Sequence, residues 1–357
     1  MDCSPLNITG FGKALQIKGS TLHRWYRDVL SDYAKDGGKS VHQHDVIIET
    51  GKKDKLLEVP ILRANNFGAN MTIDEKHIGE DFYTILANRD NGKIAFLSKT
   101  VVYSEIKEAL KSVSNLTSGI KSITRDFSSL YEKVSSELFP NAIQIGDKFH
   151  IIRNLLDSHQ AVRIRYRQKE LEKRRKAYQE FKTDENQRLQ ESEKTGTLFK
   201  LRKFYYQEER LENGETPLEI LARSRYLLYK YPEQWTNNQS KRASVLFTYY
   251  PEIKSSYELC CQFRTWLSKK NIGCQYLEID QQLHQWYENV ENAKIDELLN
   301  FKNMVETNEQ VICNYFINGQ TNAKAEAINS KIQKFISLNQ GLRDKDFFFF
   351  RLANYYA

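Results

Sequence analysis

Across residues 67–145 the spacing of apolar residues switches between the strand period and the helix period. That switch limits the possible folds more than any other feature of the chain. Runs at 67–74, 82–88 and 94–100 read as three strands, and Arg89-Asp90-Asn91-Gly92 lies between the second and third. Glycine and short polar side chains tolerate the backbone of a tight hairpin, so the last two runs are expected to pair. Residues 103–113 recur at helical spacing, with Ser104 a cap and Ile106, Leu110 and Val113 inward. A fourth strand at 120–124 leads to Asp126. Ser128 or Ser129 caps the next helix, whose stripe is Leu130, Val134, Leu138 and Phe139. Pro140-Asn141 stops that helix, and a short strand at 142–145 follows. Three antiparallel strands followed by alternating helices and strands predict a mixed sheet in an α/β domain.

The other segments have different patterns. Residues 1–35 read as a partial helix-turn-helix, with Phe11, Ala14, Leu15 and Ile17 on one face, a turn at Gly19 and Ser20 as N-cap. Leu22, Trp25, Tyr26 and Leu30 form the second helix's stripe, leaving His23, Arg24 and Arg27 to meet DNA. Residues 36–66 are polar and read as a linker. Residues 67–155 form the first part of the α/β domain, 156–312 a mainly helical insertion and 313–357 a returning helix with a C-terminal segment. The insertion opens with Arg163, Arg165 and Arg167 and mixes aromatics with positive charge. No internal period is apparent.

The 357-residue chain carries 40% hydrophobic and 28% charged residues and a net charge of +7. These values suit a globular protein with an anionic partner, although charge alone identifies none. No apolar run reaches the length of about 18 residues needed for a membrane span, and the first residues lack a signal-peptide pattern. Five unevenly spaced cysteines, with no Cys-x-x-Cys pair, point to reduced thiols in the cytoplasm rather than to disulfides or structural zinc.

Three carboxylates carry the chemistry. Asp74 follows the apolar run Met71-Thr72-Ile73, Asp126 follows the fourth strand, and Glu326 lies in the helical stretch around Ala325, Ile328 and Ile332. Phosphodiester cleavage requires an activated nucleophile and a stabilised leaving oxygen, which two cations about 4 Å apart supply when carboxylates hold them. Hard oxygen donors suit Mg²⁺, with Mn²⁺ an acceptable substitute. Glu75 and Asn329 are candidate supporting groups. For the second position Asp147 competes with Asp126, since each follows a short apolar strand; His150 places an imidazole near Asp147. Arg125, Lys148, Lys324 and Lys331 are candidate phosphate contacts.

The order of these motifs resembles that of DDE transposases of bacterial insertion sequences, closest to the ISL group. The resemblance covers roughly residues 67–357. It rests on Ile73-Asp74-Glu75, Arg125-Asp126-Phe127-Ser128 with Tyr131, and Phe139-Pro140-Asn141-Ala142 with Asp147-Lys148-Phe149-His150. Thr321-Asn322-Ala323-Lys324-Ala325-Glu326-Ala327-Ile328-Asn329 and the tail Gly341-Leu342-Arg343-Asp344, with Phe347-Phe348 and Arg351-Leu352, complete it. The resemblance implies a ribonuclease H-like catalytic domain interrupted by the helical insertion. It also implies a metal-binding triad of Asp74, Asp126 and Glu326, preferring Asp126 to Asp147, with Asp147 and His150 as nearby family residues. The expected activity is metal-dependent strand cleavage and strand transfer. Its partners are double-stranded DNA at transposon ends, target DNA and further copies of the chain, in the bacterial nucleoid. The front departs from relatives: Cys3 stands alone and one helix pair replaces a zinc-binding segment and fuller DNA-binding helices. A shortened front makes a catalytically inactive, transposase-derived DNA-binding protein or repressor the alternative expectation.

Overall fold

The structure is a computed structural model that describes residues 8–35, 38, 43–49, 54–268, 271–318, 323–338 and 344–356. Side chains at 9, 317, 318, 323–326, 328 and 329 are not described. The chain divides into two compact units, Met1–His150 with Asn308–Ala357, and Ile151–Thr307.

The first unit opens with α1 (Ile8–Ala14) and α2 (Gly19–Trp25), continued by a wider helical turn over Tyr26–Leu30. Gly19 lies inside α2 and Lys18 is its N-cap, so the expected turn at Gly19 and cap at Ser20 are each displaced. Leu22 and Tyr26 are buried, whereas Trp25 and Leu30 are exposed. The next stretch contributes an antiparallel hairpin of β1 (Val46–Ile48) and β2 (Lys55–Leu57), then β3 (Ile61–Leu62). The expected meander follows as β4 (Asn70–Ile78), β5 (Asp81–Asn88) and β6 (Lys93–Ser98). Gly92, at φ 76°, occupies the left-handed position in the turn between the last two, which glycine adopts without a Cβ clash. Helices α3 (Tyr103–Leu110) and α4 (Ser114–Thr117), strand β7 (Ser122–Arg125), helix α5 (Ser129–Leu138) and strand β8 (Ile143–Gly146) complete this half. Ser128 is the cap of α5, accepting from the Tyr131 backbone N–H at 3.3 Å.

The sheet order is β3-β6-β5-β4-β7-β8. β4, β7 and β8 run parallel, and the remaining pairs are antiparallel. Alternation along the strands sends successive side chains to opposite faces. One face carries Met71, Ile73, Leu86 and Ile123 against Ile106 and Leu110 of α3 and Tyr131 and Val134 of α5. Burying each large apolar side chain contributes about 1.5–3 kcal/mol before conformational entropy is subtracted.

Helix α6 (Lys148–Thr195) leads into the second unit. That unit also holds α7 (Pro217–Arg223), α8 (Asn237–Tyr249), α9 (Pro251–Trp266), α10 (Tyr276–Ala293) and α11 (Asp296–Thr307). Its core centres on Phe263, whose ring lies 4.7 Å from Trp286 and 5.2 Å from Phe301. The indole N–H groups of Trp266 and Trp286 donate to the Ile279 and Leu259 carbonyls, so neither ring buries an orphaned donor. The first unit resumes with α12 (Glu309–Asn318), α13 (Ala323–Leu338) and α14 (Lys345–Tyr356). Ile332 and Phe335 of α13, with Phe348, Phe349 and Leu352 of α14, cover the other sheet face over Tyr83, Ile85 and Leu97. Phe347 and Phe350 of α14 pack on Leu22, Tyr26 and Tyr33.

His159 is fully buried in the second unit, with Nδ1 2.7 Å from the Ser256 hydroxyl. Burial, with the nearby Arg163 charge, lowers its pKa from 6.5 to about 3. The folded chain therefore holds His159 neutral while an unfolded chain protonates it below 6.5, so this stabilisation is complete above that pH and declines as pH falls toward 3. Urea unfolding of the wild type should lose up to about 1.4 kcal/mol per pH unit more than His159→Gln between about pH 6 and pH 4. Equal pH slopes would contradict a neutral, buried His159.

Candidate active site

The register between β4 and β7 places the first two carboxylates. Asn70 pairs with Ser122, Met71 with Ile123 and Thr72 with Thr124. Extended two residues past its last pair, Thr72 with Thr124, that register would bring Asp126 level with Asp74 on one face. Between β7 and β8, Arg125 pairs with Gly146, so one further step sets Asp147 beside Asp126. In that extended register the three aspartates would follow one another across β4, β7 and β8, with Asp126 in the middle; the pairing itself stops at Thr72–Thr124 and Arg125–Gly146.

Asp74 differs from its expected setting. β4 does not end there but pairs with β5 as far as Ile78, with Asp74 opposite Ile85. The pairing with β7 ends earlier, leaving Asp74 fixed by a ladder on one side and open on the other. Ile85 belongs to the face covered by α13 and α14, so Asp74 faces the layer that includes the helix of Glu326. One Asp74 oxygen accepts from the Glu75 backbone N–H at 2.8 Å, and the other lies 3.5 Å from Lys76 Nζ. Strand alternation sends Glu75 to the opposite face, where it is exposed.

Asp126 is half-buried and accepts from the Ser128 backbone N–H at 2.9 Å, a local turn that leads into the cap of α5. Asp147 is buried; its Oδ1 accepts from the Phe149 N–H at 2.8 Å and its Oδ2 lies 3.9 Å from His150 Nε2. It therefore caps the start of α6, with the His150 imidazole nearby. Glu326 lies on α13, six residues before the buried Ile332; its side chain, like those of Lys324 and Asn329, lies outside the described residues. Asp74 and Asp126 are half-buried hard oxygen donors, which fit Mg²⁺ or Mn²⁺ better than a soft metal.

Several cations read from the sequence as DNA contacts are engaged inside the protein. Arg125 is only 2% exposed; its Nε donates to Gln144 Oε1 and its NH1 to the Asp126 carbonyl, each at 2.8 Å. Its position before Asp126 reflects structural support for the strand ends, because a guanidinium held this way cannot reach a phosphate. Arg163 is likewise buried and donates to Gln160 and the Leu221 carbonyl, both at 2.7 Å. Arg165 bridges Glu252 and Glu297. Lys148 Nζ lies 3.3 Å from the Tyr315 hydroxyl and 5.0 Å from its ring centre. Arg27 pairs with Asp344 at 2.9 Å, and the His23 ring meets Phe347 edge-on. Arg24 and Lys331 are exposed, and Arg167 is half-buried.

Arg89 was legible only as a turn residue. It is buried, and its guanidinium donates to Thr124 Oγ1 at 2.7 Å and Ser122 Oγ at 3.0 Å, beneath Asp126 on the aspartate face. Gly146 has a similar hidden role: an added Cβ would stand 2.7 Å from the Phe127 ring. No local motif announces either role.

A family model described as a transposase, that of the ISL3-type DDE transposases, matches residues 71–352. The match covers well over half of the sequence, and the chain belongs to this transposase family. Comparisons with curated proteins and with solved structures gave no match. Among the described residues, no helix is long and apolar enough to cross a membrane.

Removing Arg125 strands buried acceptors on Gln144 and Asp126. Arg125→Ala should lower unfolding stability by about 2–4 kcal/mol, against less than about 0.5 kcal/mol for Arg175→Ala at an exposed site. Urea denaturation of the two variants checks this, and equal small effects would restore Arg125 as a surface contact.

Proposed function

We propose that this transposase cleaves DNA strands at insertion-sequence ends and transfers the exposed 3′ hydroxyl to target DNA. The reading is carried by the parallel β4–β7 register, whose extension past Thr72–Thr124 would bring Asp126 level with Asp74 on one face. A meander of β4, β5 and β6 followed by parallel β7 and β8 supports a ribonuclease H-like catalytic domain. In this reading 67–155 and 313–357 form that domain, 156–312 is its helical insertion, and 1–35 is a DNA-facing helix pair joined by 36–66.

Asp74, Asp126 and Glu326 would hold Mg²⁺ or Mn²⁺, Glu326 being carried by α13, a helix that packs on that sheet face. The bound cation supplies a more acidic water or hydroxyl and stabilises the leaving oxygen. The chain's own task is placement. β5 fixes Asp74 through a continuous ladder, Arg125 fixes the peptide of Asp126, and Asp147 holds His150 beside the row. His150 and Asn329 are supporting groups that orient a phosphate or a carboxylate; Glu75, on the opposite face, supports the strand. Arg24, Lys324 and Lys331 are contacts for the DNA backbone, whose electrostatic attraction carries no sequence information. Higher-order assembly on paired ends takes place in the nucleoid.

Wild type with terminal DNA and Mg²⁺ should nick and join. Asp74→Asn and Asp126→Asn should abolish both steps while retaining DNA binding, and Asp147→Asn should reduce them about 10–100-fold. Full activity in Asp126→Asn with none in Asp147→Asn would move the second ligand to Asp147. Binding without cleavage by wild type would point instead to a repressor.

A further inference from the structure

Within the second unit, one groove runs against the positive charge of the chain. It has a volume of about 430 Å³ and is lined from α6, from the extended stretch 206–209 and from the end of α8. Three tyrosines line it. Tyr249 is 46% exposed, Tyr206 is half-buried, and Tyr250 is buried, its ring 5.1 Å from that of Tyr166. Among the described residues, no cation of the chain lies over any of these three rings. Aromatic faces attract cations through the ring quadrupole, by about 0.5–2 kcal/mol each.

The same groove holds Glu170, Glu208 and Glu209 against a single cation, Lys173. Lys173 Nζ lies 2.8 Å from Glu170, and Arg174 lies 3.9 Å from Glu208. Glu209 is exposed and has no ion pair among the described residues. The Tyr250 side chain is only 7% exposed, yet its hydroxyl makes no hydrogen bond among the described residues. Burial, with the Glu170 charge, pushes that hydroxyl up to about 12. The phenol therefore stays neutral and keeps a lone pair for an incoming N–H donor.

The lining selects the ligand. A phosphate or a DNA backbone would meet three carboxylates and one lysine. A small divalent ion needs its ligands to converge, and these three carboxylates do not gather within 4.8 Å of one another. A neutral apolar ligand would cover carboxylates without pairing them. An elongated organic cation satisfies every part of the lining. Ammonium groups spaced along a methylene chain can meet separate carboxylates and the Tyr250 hydroxyl, while the methylenes lie on the tyrosine faces. We propose that this groove binds a linear polyamine of the spermidine class. A chain of net charge +7 repels a polycation at long range, so the affinity comes from the groove itself.

Isothermal titration calorimetry of the full chain with spermidine, without DNA or Mg²⁺, tests the groove independently of strand cleavage. Wild type should show one saturable site. Glu209→Gln combined with Tyr249→Ala, both at exposed positions, should keep the wild-type circular dichroism and raise the Kd at least about tenfold. Tyr250→Phe keeps the ring, removes the hydroxyl and should raise the Kd about three- to tenfold. Glu193→Gln, an exposed carboxylate outside the groove, should bind as wild type. Butylamine, with a single ammonium, should bind at least about tenfold more weakly than spermidine. No saturable binding at millimolar spermidine would overturn the proposal. So would an equal loss in Glu193→Gln, or displacement of spermidine by Mg²⁺ at equal concentration. An arginine peptide that binds more tightly than spermidine would also overturn it and assign the groove to a basic protein segment.

Discussion

The parallel pairing of β4 with β7 is the constraint on which the rest of the first unit depends. A parallel pair requires a crossover, and here the chain makes it through the β5–β6 meander, α3 and α4. The pairing sets Thr72 beside Thr124, and strand alternation then decides which side chains can meet. A slip of one residue would send Asp126 to the α5 face while Asp74 stayed on the α13 face. The site therefore depends on register before it depends on the identity of any carboxylate.

Two buried arginines reinforce that register from opposite faces. Arg89 ties the β5–β6 turn to Ser122 and Thr124, and Ser122 in turn donates to Asn70 Oδ1 at 2.8 Å. Arg125 ties the end of β7 to Gln144 on β8, whose carbonyl accepts from Asn314 of α12 at 2.9 Å. Neither cation needs a carboxylate partner in these bonds, since hydroxyl, amide and carbonyl oxygens accept from it. Such an arrangement places positive charge behind the aspartates. Lys76, 3.5 Å from Asp74, adds a cation at the surface.

Much of this was legible in the sequence. The meander, the turn at Gly92, the Ser128 cap and the order of the carboxylates follow from local periodicity and turn chemistry, which act over a few residues. The far half of β4 was missed because Glu75-Lys76-His77 carries no apolar signal; pairing with β5 alone makes it a strand. β1 and β2 were hidden in a polar stretch for the same reason. Arg125, Arg163 and Arg165 read as DNA contacts because sequence shows charge but not burial. Tertiary acceptors far along the chain, such as Leu221 and Glu297, decide where those guanidinium groups go. The side chain of Glu326 lies outside the described residues, so its part in the triad rests on the helix that carries it.

The proposed cation site is formed by Asp74 and Asp126 together. Replacing the cation with Fe²⁺ and generating hydroxyl radicals cuts the backbone only near bound iron, so fragment mapping locates the site without any DNA. Cuts should fall close to residues 74 and 126, be competed away by Mg²⁺ and be absent from Asp74→Asn and Asp126→Asn. Cuts that persist in both variants, or that cluster elsewhere in the chain, would contradict it.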